Sequence, residues 1–97
     1  MSKVPVDSYI LDTLMRELIS HDRKPSAFVV YLHLWNKTQS ASRPVKMGHQ
    51  KIADSVGLSK SAVQSALKTL SRLKLVRSYR STATAVPEHT VLRPWAK

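Results

Sequence analysis

The chain has no cysteine, which rules out a disulfide framework, a thiolate metal site and a catalytic thiol. Its two glycines, Gly48 and Gly57, are too few for a glycine-rich phosphate cradle or a nucleophile elbow. The six acids (Asp7, Asp12, Glu17, Asp22, Asp54, Glu88) are scattered singly and offer no paired carboxylates, so no enzyme is expected. The four histidines (His21, His33, His49, His89) fall in different elements without i,i+4 spacing, so neither a metal site nor a cofactor is expected. No apolar run approaches the roughly 18 residues of a membrane span. Residues Met1 to Tyr9 contain Pro5 and Asp7 and lack a signal-peptide stretch, which reads as cytoplasmic.

Positive charge is plentiful: 16 of 97 residues are Lys or Arg, for a formal net charge of +10. Residues 1–36 hold four cations and four acids, whereas residues 37–97 hold twelve cations and two acids. The surplus therefore lies wholly in the last two thirds and favours an anionic partner, nucleic acid before membrane. The 42% apolar content suits a folded chain, and the length suits one domain over residues 1–97.

Helical spacing of Ile10, Leu11, Leu14, Met15, Leu18 and Ile19 predicts a first helix over residues 7–20, with Asp7 or Ser8 as its cap. Asp22-Arg23-Lys24-Pro25 breaks it. A second helix from Pro25 or Ser26 to about Thr38 is apolar almost all round and should be surrounded by other elements. Within it Trp35 reads as core. Residues 39–44 read as a loop and Val45-Lys46-Met47 as a small strand. Helices are expected over 49–56, ended by Gly57, and over 59–73 with a stripe of Ala62, Val63, Ala66, Leu67, Leu70 and Leu73. Residues 75–80 and 90–93 are β-prone and form a hairpin with a long tip, spanning 75–93 in all. The fold class is mainly α with a small β-hairpin, in the order helix, helix, strand, helix, helix, strand, strand.

Residues 49–73 meet the physical demands of a helix-turn-helix. The close crossing needs a small residue, Ala53. The turn needs positive φ, which glycine adopts at little cost, at Gly57. Clamping the pair needs apolar side chains at Ile52, Val56, Leu58, Val63 and Ala66. The segment from Lys51-Ile52-Ala53 through Val56-Gly57-Leu58-Ser59-Lys60-Ser61-Ala62-Val63 to Leu70, followed by Leu75-Val76, resembles bacterial winged helix-turn-helix domains. It is similar to those of MarR- and GntR-type regulators. It is closer still to small helix-turn-helix domains of phage and plasmid replication proteins and related bacterial regulators. The resemblance spans about residues 26–93. It implies a three-helix core, a hairpin wing, and insertion of helix 59–73 into the DNA major groove. Two departures stand out: Lys74 occupies a position where such domains usually carry glycine, and the tip from Ser81 to Glu88 has neither glycine nor a basic side chain. Minor-groove insertion by an arginine at the tip is therefore not expected.

With the apolar stripe inward, Lys60, Ser61, Gln64 and Ser65 are the candidates for base readout. Gln64 suits a bidentate adenine contact and Lys60 the guanine acceptors. Phosphate contacts are expected from Lys46, His49, Gln50, Lys51, Ser59, Lys68, Arg72, Arg77 and Arg80. Between residues 43 and 80 lie nine cations and one acid, whereas an ordinary soluble surface intersperses both signs. The expected function is sequence-specific binding of double-stranded DNA in a small prokaryotic or phage-type transcriptional regulator. Replication initiation, and a winged-helix protein-interaction module that does not bind DNA, are the alternatives. RNA binding would need exposed aromatics beside the basic face, and Tyr79 is the one candidate. The first helix carries many apolar groups for a peripheral element. They serve either the intrachain core or a homodimer, and Trp95 either packs the tail or joins that contact.

Overall fold

The computed structural model describes residues 3–20, 25–41 and 43–96. The predicted break at Asp22–Lys24 and the residue His21 lie outside the described residues. The N-terminal helical segment is π-helical over Ile10–Leu14 and continues as α1 (Met15–Ser20). There follow α2 (Pro25–Ala41), β1 (Val45–Lys46), α3 (His49–Val56), α4 (Lys60–Arg72), β2 (Val76–Tyr79) and β3 (Glu88–Val91). The chain is thus mainly helical with one small antiparallel sheet, in strand order β1-β3-β2.

The central element is α2, packed against α1, α3, α4, β1 and β3. Ala27, Phe28, Val30, Tyr31, Leu34 and Trp35 are buried, as a helix apolar on most sides requires, while Val29 remains exposed. The helix extends to Ala41, three residues beyond the sequence expectation, because nothing in Gln39–Ala41 breaks it and Pro44 comes later. Ile10, Leu14 and Leu18 join the core from the N-terminal segment, and Val63, Ala66, Leu67 and Leu70 from α4.

The first helix is not capped by Asp7 or Ser8. No side-chain cap bond is made, and the Ile10 N–H donates to the Asp7 main-chain carbonyl at 3.0 Å. The Asp7 carboxylate is engaged elsewhere. It accepts from the Trp95 indole N–H at 3.0 Å and from Arg93, whose Nη2 lies 2.8 Å away and Nε 3.0 Å. Two contacts from a guanidinium and one from an indole outweigh a single cap bond from a backbone N–H. The Trp95 bond, followed by Arg93 against the opposing effect of burial, holds the Asp7 carboxyl below its usual range. Trp95 stacks on Tyr9 with ring centroids 4.7 Å apart, and Tyr31 Oη donates to the Leu92 carbonyl at 2.9 Å. Trp95 therefore packs the tail onto the body.

The third strand begins two residues earlier than its β-propensity suggests. Pairing decides this: β1 sets Val45 opposite His89 and Lys46 opposite Glu88, while β2 sets Ser78 opposite His89. His89 thus lies in the middle strand and is fully buried.

Candidate nucleic-acid interface

The pairing of α3 with α4 starts from small and apolar residues. Ile52, Ala53, Val63 and Ala66 are buried, and Val56 and Leu58 half-buried, around the crossing. Gly57 turns the chain with φ +77°. Its N–H and that of Leu58 both donate to the Ala53 carbonyl, at 2.9 and 3.1 Å, closing the helix end. Ser59 then caps α4: its hydroxyl accepts from the Ala62 N–H at 3.1 Å. All seven residues required for a close pair of helices thus sit where the pair needs them.

Inward placement of Val63, Ala66, Leu67 and Leu70 turns Lys60, Ser61, Gln64, Lys68 and Arg72 to solvent. Ser65 differs from expectation. It is half-buried, because it sits at the edge of this face towards the buried Thr69. The Ser59 hydroxyl also lies 3.3 Å from that of Ser61, so the helix start presents two hydroxyls and free backbone N–H groups together.

At its far end α4 passes into β2 through Lys74, the one described non-glycine residue with positive φ, at +60°. The Lys74 N–H donates to the Ser71 carbonyl at 3.1 Å and the Leu75 N–H to the Leu70 carbonyl at 2.8 Å, the paired bonds of a Schellman end. Lysine stands where glycine is favoured, and the backbone adopts the left-handed turn regardless. This turn sends β2 back alongside α4.

The result is an open groove of about 620 Å³ between α4 and the hairpin. His49, Gln64, Lys68 and Arg80 line it together, although they come from α3, α4 and the position just after β2, with His49 and Arg80 31 positions apart. Leu67, Ser71, Ser78, Tyr79 and Pro87 complete the walls. Tyr79 is 64% exposed there. Arg80 is braced by a bond from its Nη1 to the Ala83 carbonyl at 3.1 Å.

The hairpin is anchored from below by His89. Its Nε2 lies 2.9 Å from the Met47 carbonyl and its Nδ1 2.8 Å from Ser78 Oγ. A carbonyl only accepts, so Nε2 carries the proton and Nδ1 accepts from the serine. Burial lowers the imidazole pKa, with Arg80 adding to the effect against the Met47 bond. His49 stands beside it, with ring centroids 6.5 Å apart. Burial first, then Arg80, His89 and Lys60, lower its pKa too. Both rings are therefore neutral near pH 7, and His49 can accept or donate a hydrogen bond at the groove.

The remaining sequence candidates are spread more widely. Lys51 is exposed on α3. Gln50 Nε2 donates to Asp54 Oδ1 at 2.9 Å, which engages the single acid of the basic stretch. Lys46 lies at two smaller depressions beside Glu88, neither of them lined by α4. The two hairpin arginines part company: Arg77, opposite Thr90 within β2, is exposed away from the groove, whereas Arg80, just past the end of β2, joins it. Sequence reasoning missed Ser71 and Ser78 as groove residues, and no local pattern marks them. Among the described residues there is no group of three metal-ligating side chains, and no helix is long and apolar enough to cross a membrane. No protein-family model matches the sequence, and neither a curated protein nor a solved structure is similar to it.

Proposed function

We propose that this chain binds double-stranded DNA in the manner of a winged helix-turn-helix protein, with α4 in the major groove, and acts as a small transcriptional regulator. One observation carries the reading. The exposed row Lys60, Gln64 and Lys68 on α4 faces the same side as Arg80 across a groove, within a stretch of nine cations and one acid. Lys68, Arg72 and Arg80 supply capture by phosphates, and the open start of α4 adds a site for one more. Gln64 supplies the bidentate geometry that tells adenine from the other bases, and Lys60 the reach to guanine. The short side chain of Ser61 lets the helix sit deep. The hairpin contributes through its base, at Arg80 and Tyr79, because its tip carries no cation.

The test is selection of duplexes from a random pool, followed by fluorescence anisotropy on the winner between about 50 and 200 mM salt. The proposal expects a defined sequence and an affinity that falls steeply with salt. Equal retention of all duplexes would reduce the surface to a polycation. No retention by folded protein at the lower salt would end the DNA reading and leave the basic face to an acidic protein partner.

A further inference from the structure

The N-terminal segment buries Ile10, Leu14 and Leu18, yet Leu11, Met15 and Ile19 remain 47%, 37% and 42% exposed. Their spacing of four places them in a single row beside the buried one. An isolated surface helix gains nothing from such a row, since each side chain keeps apolar area in water. The charge of the chain restricts what can cover it. Residues 1–36 are net neutral while the rest carries +10, so contact between copies through the basic region would oppose like charges, and contact here does not.

The solvent flank of the row carries Asp12 and Arg16, one helical position further round, both exposed. In two antiparallel helices related by a two-fold axis, like flanks meet in reversed order. With the axis at Met15, Leu11 faces Ile19 of the second copy and Met15 faces Met15, while Asp12 of each copy lies two residues, roughly 3 Å, along the axis from Arg16 of the other and within reach of its long side chain. Both ion pairs are then attractive. A parallel arrangement would set the charged flank against the side carrying the buried Leu14 and Leu18, which the body of the protein occupies.

We propose that two copies of this chain associate through this row, as an antiparallel two-fold helix pair sealed by two Asp12–Arg16 ion pairs. Three part-exposed side chains cover much less than the roughly 800 Å² per partner of a durable interface. The pair is accordingly weak in solution, and it deepens the DNA-binding proposal, because two copies held on adjacent half-sites would meet at high effective concentration.

The test uses DNA-free protein, so that its outcome is independent of the DNA reading. Sedimentation equilibrium from about 20 µM to 1 mM should show the average mass rising from the monomer towards the dimer. Asp12→Arg should weaken association about tenfold or more, Met15→Glu should abolish it, and the swap Asp12→Arg with Arg16→Asp should restore it. All these positions are exposed, and circular dichroism checks that each variant folds. A chain that stays monomeric at 1 mM, or a charge swap that fails to restore association, overturns the pairing. If such a chain still binds duplex, the DNA proposal survives alone.

Discussion

Replacing Lys74 by glycine should stabilise the protein. The residue sits at φ +60° because the Schellman end of α4 requires a left-handed position just before Leu75. A residue with a Cβ pays about 1–2 kcal/mol for that conformation, and glycine does not. Glycine also loosens the unfolded chain, which costs about 0.4–1 kcal/mol. The difference leaves a gain of about 0.5–1 kcal/mol, or roughly 3–6 °C in Tm for a domain of this size. Gly57→Ala is the mirror experiment. An added Cβ there meets nothing within 4 Å, so the only cost is the backbone at φ +77°, and a loss of similar size follows. Lys74→Gln controls for the lost charge and should leave Tm nearly unchanged. Thermal unfolding followed by circular dichroism at fixed pH and salt reads all three. If Lys74→Gly lowers Tm, or Gly57→Ala leaves it untouched, the two helix ends are not built as described.

Changing Gln64 to Ala should cost about 1–3 kcal/mol at particular base positions, read by repeating the duplex selection. Lys68→Ala or Arg80→Ala should instead weaken binding across all sequences and lower the salt slope by about one each. Burial is the chief cause of the lowered pKa of His33, His49 and His89. The unfolded chain then binds more protons than the folded one below about pH 6.5, so stability is level above that pH and declines beneath it. Urea midpoints at pH 7.5 and 5.5 check the sign, and a higher midpoint at the acid value would reverse the argument. Trp95→Ala removes the stack on Tyr9 and the bond to Asp7, and because the ring is only half-buried the expected loss is about 1–2 kcal/mol in urea unfolding, well below a core tryptophan.

The helical elements were legible because each has a local cause. The stripes of α1 and α4, Gly57 and the Ser59 cap are short-range patterns, and their bounds fall within a few residues of expectation. Lys74 was marked by the resemblance, as the position where such domains usually carry glycine, and its φ of +60° is what such a glycine would adopt. What escaped was settled by distant partners. Asp7 was expected, with Ser8 as the alternative, to cap its own helix, but it answers to Arg93 and Trp95, 86 and 88 residues away. His89 reads as a loop residue until β1 and β2 flank it. The outward face of α4 followed from its apolar stripe, except at Ser65, whose edge position a stripe of single residues does not resolve. The parting of Arg77 from Arg80 depends on β2 ending at Tyr79, a boundary that β-propensity placed one residue later.

The middle strand of the sheet is also the last to be made. Both β1 and β2 take their ladder bonds from β3, and 42 residues separate Met47 from the imidazole that binds its carbonyl. During synthesis the helices can dock early, through contacts close in sequence, while β1 and β2 wait with unpaired edges until Glu88–Val91 emerges. A chain stalled or clipped ahead of Glu88 would keep α4 and its lysines but lack the His89 anchor, the ladder and the Trp95 clasp. The far wall of the groove is thus completed last, so a partial product displays positive charge without a surface shaped to use it.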